Sequence, residues 1–134
     1  MSTVWSPVTF DEQPPALRVV GTVVMPVVAG AVCGLLLGVS EAVYLVLSLL
    51  CIAGGVVAGR EHRGPLAGLA RGLWGGTLFG LAILAVHELT GADAKASLPD
   101  PPVLLAVLTG LIGAGLGALG AWTRRRDAAR SVAA

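Results

Sequence analysis

Gly64-Pro65-Leu66-Ala67-Gly68-Leu69-Ala70-Arg71-Gly72-Leu73-Trp74-Gly75-Gly76-Thr77-Leu78-Phe79-Gly80 is the stretch that decides the fold. Glycine recurs every fourth residue at positions 64, 68, 72, 76 and 80, in a segment that is otherwise apolar apart from Arg71 and Thr77. In a water-soluble helix such a run of glycine costs stability and leaves little side chain to bury. In a bilayer the balance differs. Lipid tails compete equally for Leu and Val, so helices gain by close backbone approach, and rows of small residues permit it. Four residues turn a helix by about 400°, so a strict i+4 row drifts by about 40° per step and forms a ridge suited to a right-handed crossing. The reading is therefore a membrane helix that packs more closely than any other in the chain.

Outward from this stretch the same pattern repeats. Gly30, Gly34 and Gly38 share one spacing, Gly55 and Gly59 end another apolar run, and Gly113 and Gly117 lie beside a second small row of Gly110, Ala114 and Ala118. Four segments are long and apolar enough to cross about 30 Å of hydrocarbon: about 19–39, 42–59, 66–89 and 103–122. Each is apolar around its whole circumference rather than along one stripe. Across all 134 residues, 55% are hydrophobic and 13% charged, and mean hydropathy is +0.84. A soluble domain carries about 25% charged residues, so too little polar surface exists here to face water. The expected fold is all-α, a polytopic membrane protein of four transmembrane helices arranged as two antiparallel hairpins with glycine-rich close packing. Residues 1–134 form a single membrane domain, with 1–17 a cytoplasmic leader and 123–134 a cytoplasmic basic tail. The spans leave no room for a nucleotide-binding, nucleic-acid-binding or large catalytic domain.

Charge placement sets the orientation. Arg18, Arg60, Arg63, Arg71, Arg124, Arg125, Arg126 and Arg130 lie on one side and only Lys95 on the other. Basic residues are retained in the cytoplasm, so both termini and the Arg60–Pro65 turn are expected inside, in one orientation in the plasma (inner) membrane. The leader holds Asp11 and Glu12 but no basic residue before Arg18, so no cleaved targeting peptide is expected, and the first span should act as an uncleaved anchor. Its Trp5, Pro7, Phe10, Pro14 and Pro15 predict an extended segment without a domain, with Trp5 and Phe10 able to dock on headgroups.

The polar residues offer few sites. Arg71 is expected to snorkel to the cytoplasmic headgroups. Glu41, His87 and Glu88 flank the outer rim and would suit a divalent cation if their spans were neighbours; otherwise they are solvated interfacial groups. Arg124, Arg125, Arg126 and Arg130 can contact anionic lipid or simply hold the tail inside. Trp74 and Trp122 belong to the same interface. Pro26 removes an N–H and should kink the first span, freeing the Thr22 carbonyl. Cys33 and Cys51, counted from the outer turn, fall at different depths without ligand spacing, and read as small apolar fillers. No metal or cofactor is expected. With two His, scattered acids, no G-x-S-x-G and no phosphate loop, neither is enzymatic activity.

Gly54-Gly55-Val56-Val57-Ala58-Gly59-Arg60, the short basic turn, the Gly68–Gly80 ladder and Gly113 to Gly120 together resemble the YrzE-like group of small bacterial membrane proteins. The resemblance covers about two thirds of the chain. It implies four helices with both termini inside and carries no activity.

Two functions of different class fit. One is a structural or accessory subunit whose glycine rows pack against copies of itself or a larger membrane protein. The other is a small homo-oligomeric channel or transporter lined by backbone and by Thr22, Ser48, Thr77 and Thr109. Proton-coupled export is disfavoured because the first span carries no carboxylate. The partners expected are the lipid bilayer and either the chain itself, a larger membrane protein or both, with no nucleic acid.

Overall fold

The structure, a computed structural model, describes residues 8–134. Its regular structure is helical throughout, and four helices are long and apolar enough to cross a membrane: α1 (Pro15–Leu37), α2 (Glu41–Gly59), α3 (Pro65–Thr90) and α4 (Leu104–Ala133). The chain is thus a multi-pass membrane protein. Trp5 and Pro7 lie outside the described residues.

Local chemistry places the helix ends. Pro15 and Pro65 stand at the first position of α1 and α3, where a missing N–H costs nothing and the fixed φ suits the helix. Gly91 closes α3 in the left-handed region at φ 60°, a conformation open to glycine without a Cβ penalty. Ser40, extended at ψ 124°, ends the Gly38–Ser40 turn and starts α2. Beyond α3 the 91–103 loop returns across the end of α1, where the Lys95 N–H donates to the Leu37 carbonyl at 2.8 Å. That bond satisfies a carbonyl the helix terminus would otherwise leave free.

Two boundaries differ from the sequence reading. The first helix begins at Pro15, before the expected span. The fourth continues without a break from the apolar segment through the arginine cluster to Ala133, so the basic tail is helical. Ala and Arg are strong helix formers, and nothing between Trp122 and Ala133 interrupts the turn.

The most buried side chains cluster at the end away from the arginines. Cys33 and Leu37 of α1, Tyr44 of α2, Phe79 and Ile83 of α3, and Ala96 of the loop form this core, with Leu47, Cys51 and Leu105 packed on it. Leu37, Ile83 and Cys33 are fully buried. Most of the remaining Val and Leu point outward, as a lipid-facing surface requires.

Candidate functional site

Each glycine row lies against a neighbouring backbone. A methyl placed on Gly72 would stand 2.5 Å from the Gly113 carbonyl carbon, and one on Gly76 would stand 2.8 Å from that of Thr109. Gly59 and Gly68 meet Gly117 in the same way, and Gly80 meets Ala106. On the other side of α3, Gly30 meets the Phe79 carbonyl and Gly34 the Ile83 carbonyl. Gly38 meets Ala92. A side chain at these positions would push two backbones apart. Gly54, Gly64 and Gly115 have open space instead, and Gly55 only an ordinary 3.8 Å contact with Leu116. Of the predicted packing glycines, then, Gly55 and Gly64 make no close approach.

The hydroxyls named as a polar pathway are turned back onto their own helices. Thr22 donates to the Arg18 carbonyl at 2.6 Å, Thr77 to Leu73 at 2.8 Å and Thr109 to Leu105 at 2.8 Å. Ser48 instead meets the Cys33 sulfur at 3.8 Å, across α1 and α2. Cys51 packs on the cluster that holds Cys33, so the two cysteines share one region.

The first span departs from a regular helix just before Pro26. Val20–Val24 forms a π turn, in which the Met25 N–H reaches back five residues to the Val20 carbonyl. That register assigns residue 26 to the Gly21 carbonyl, and proline has no N–H to offer it. The carbonyl freed is therefore that of Gly21. The freed carbonyl accepts a hydrogen bond from Nη2 of Arg71. Arg71 accordingly turns toward α1, and its Nε is buried without a partner.

Arg71 stands at the edge of a cavity of about 420 Å³ between the four helices. Pro26, Cys51, Gly54, Phe79 and Leu116 line it, with Glu61 as the other charged residue. Two runs of small residues, Gly54–Gly55 on α2 and Gly75–Gly76 on α3, leave this space because they carry no side chains to fill it.

At the arginine-rich end the described part of the leader folds back instead of extending. Phe10–Glu12 forms a 3₁₀ turn, the Phe10 N–H donates to the Glu61 carbonyl at 3.0 Å, and the Phe10 ring lies 4.9 Å from the His62 ring. Arg63 pairs with Glu12 at 3.2 Å. Arg18 donates to the carbonyls of Asp11 and Gln13. Phe10 is thereby occupied within the protein rather than by headgroups. Hydrogen bonding from Thr9, and then the Arg63 charge, hold the Glu12 carboxyl below its ordinary range. Burial and then the Arg71 charge lower the pKa of His62. Sequence periodicity carries no signal for this clasp, because it joins residues 51 and 52 positions apart through a proline-broken segment.

The arginine cluster is partly committed. Arg124 donates to the Arg60 carbonyl at 3.0 Å, Arg60 pairs with Asp127 at 2.9 Å, and the Arg126 guanidinium lies 4.3 Å above the Trp122 ring. Arg125 and Arg130 remain exposed. Trp74 is also exposed. At the opposite rim, Glu41, His87 and Glu88 are not gathered. Among the described residues no three His, Cys, Asp or Glu side chains form a metal-ligand group. The second helix packs mainly on the fourth rather than the third, which keeps Glu41 from His87 and Glu88.

No protein-family model, curated protein or solved structure matches the chain, so the YrzE-like resemblance stands on the quoted residues alone.

Proposed function

We propose that this chain is a structural or accessory subunit of a plasma-membrane complex, with both termini in the cytoplasm and its four helices closed as two antiparallel hairpins along glycine rows. One observation carries the reading: Gly30, Gly34, Gly59, Gly68, Gly72, Gly76, Gly80, Gly113 and Gly117 all meet backbone of the chain's own helices. Close packing of this kind makes a stiff unit that presents apolar Val and Leu outward to lipid or to a larger membrane protein. Of the two partners open to the glycine ridges, a helix of the same chain or a second copy, this supports the first. The glycines serve closure of the subunit, and a partner meets the outer faces. The channel alternative gains nothing from the hydroxyls, since Thr22, Thr77 and Thr109 donate to their own helices.

Native mass spectrometry of the protein extracted gently at natural expression tests this. Co-purification with a larger membrane protein is the expected result. A single closed ring of identical chains that conducts ions in liposomes overturns it in favour of the channel.

A further inference from the structure

We propose that the cavity between the four helices is a phospholipid site, with the lipid phosphate on Arg71 and one acyl chain in the apolar chamber. The proposal does not depend on the accessory-subunit reading. Three observations converge on it.

The first is size and lining. A volume of about 420 Å³ falls in the range of ligand sites, about 300–1,000 Å³. Its walls are Pro26, Ala29, Ile52, Phe79, Ile112 and Leu116, with small residues between them. Water needs two to four polar partners to occupy a cavity, and away from Arg71 and Glu61 these walls supply almost none. An empty apolar space of this size forfeits contacts on every side. In a bilayer the material at hand to fill it is an acyl chain.

The second is the unmet donor. A guanidinium carries five N–H donors in a planar fork that matches a phosphate. Arg71 gives one hydrogen bond to the neutral Gly21 carbonyl and keeps a buried Nε without a partner. Glu61 lines the same cavity, but the described ion pairs are Arg60 with Asp127 and Arg63 with Glu12. Glu61 is near enough to act on Arg71 by its charge but is not hydrogen-bonded to it, and a phosphate diester would supply the acceptors that the guanidinium lacks.

The third is depth and access. Arg71 lies six residues into α3, about 9 Å along the axis from Pro65, near the level where a lipid phosphate meets the glycerol backbone. Phe79, eight residues further on, also lines the cavity, so the chamber runs inward from Arg71 as an acyl chain does. Met25 on α1 and Val57 on α2 line it and are 59% and 65% exposed, so a chain can enter sideways between these helices. Arg71 thus becomes a ligand-binding residue rather than a headgroup anchor.

The test is lipid retention by the full chain, read by native mass spectrometry after delipidation and titration with phosphatidylglycerol and phosphatidylethanolamine vesicles. One phospholipid per chain is expected. Arg71→Gln should weaken retention by about tenfold or more, the loss of a charge-assisted contact. Gly54→Leu fills the chamber from a position with open space around its Cβ, so folding is preserved while retention falls equally. Thermal unfolding of each variant in detergent separates lost binding from lost fold. Unchanged retention in a folded Gly54→Leu variant overturns the proposal. So does retention of inorganic phosphate without lipid, or a dimer that Gly54→Leu dissociates, which would place a second copy in the cavity.

Discussion

Substituting Ala for Gly72 and, separately, for Gly54 asks whether the close approach of α3 and α4 stabilises the protein. The chemical change is identical and both sites are helical, so the gain in helix propensity, about 1 kcal/mol per glycine replaced, cancels between them. What differs is space. At Gly72 the new methyl stands 2.5 Å from the Gly113 carbonyl carbon and 3.1 Å from the Ala114 nitrogen, whereas at Gly54 nothing lies within 4 Å. Ordinary contact begins near 3.4 Å and the Gly113 carbonyl oxygen stands nearer than either of these atoms, so α3 and α4 must part by more than about 0.9 Å, and no obstructing atom sits on a side chain that can rotate away. A radial gap of 0.5–1 Å forfeits about a quarter to a half of each dispersion contact along the seam. Inserting a methylene into a packed interior costs about 1–3 kcal/mol, and that range is the expected difference between the variants. Gly54→Ala should be neutral or more stable than the parent. Reversible unfolding in mixed micelles, followed by far-UV circular dichroism, reads both. Equal midpoints would mean that the seam contributes nothing and that the glycine rows have another purpose.

Acid should release the leader. Both groups have folded pKa values below their unfolded ones, so their stabilising effect is present above the unfolded pKa and lost as pH falls. His62 begins to lose it below about 6.5, and Glu12 follows in the carboxylate range below about 4.5. Hydrogen exchange at the Phe10 amide should therefore quicken between pH 7 and pH 5, and a rate unchanged after correction for intrinsic exchange would refute the clasp. Cysteines introduced at Ala92 and Ser131 should react with an impermeant maleimide from outside and from inside respectively, and the reverse pattern would overturn the orientation drawn from charge.

Hydropathy is a local property, and what depends on it was readable. Four apolar runs bounded by Arg18, Ser40, Arg60–Pro65 and Thr90–Pro102 became four helices at nearly those places, because lipid demands about 20 residues whose backbone groups are satisfied internally. The bounds that moved are those where water takes over from lipid as solvent. Past Trp122 the helix is no longer compelled by the bilayer, yet Ala and Arg sustain it to Ala133. The acceptor that Arg71 meets was unreadable for a different reason. Snorkelling is the default for an arginine near a helix end, and the competing acceptor, the Gly21 carbonyl, exists only because Pro26 lies one step beyond a π turn. Neither the register of that turn nor the pairing of residues 21 and 71 has a sequence signature. The clasp of Phe10 over His62 is equally silent, since it joins a proline-broken segment to a turn through one backbone bond, one ring contact and one ion pair. The glycine spacing indicated close approach without indicating to what, because a bare ridge fits a neighbour in the same chain or another one equally well.

The unbroken length of α4 has a mechanical consequence. Thirty residues make a rod of about 45 Å against a hydrocarbon thickness of about 30 Å, so roughly 15 Å of stiff helix is more than the hydrocarbon can cover. No hinge separates that exposed segment from the part lying against α3, where Gly113 and Gly117 face Gly72 and Gly68 with no side chains to interlock. A twist or pull applied at Arg130 is therefore delivered to the middle of the bilayer as rotation or sliding of one smooth rail along another. The protruding end is a lever, and its bearing is the glycine seam.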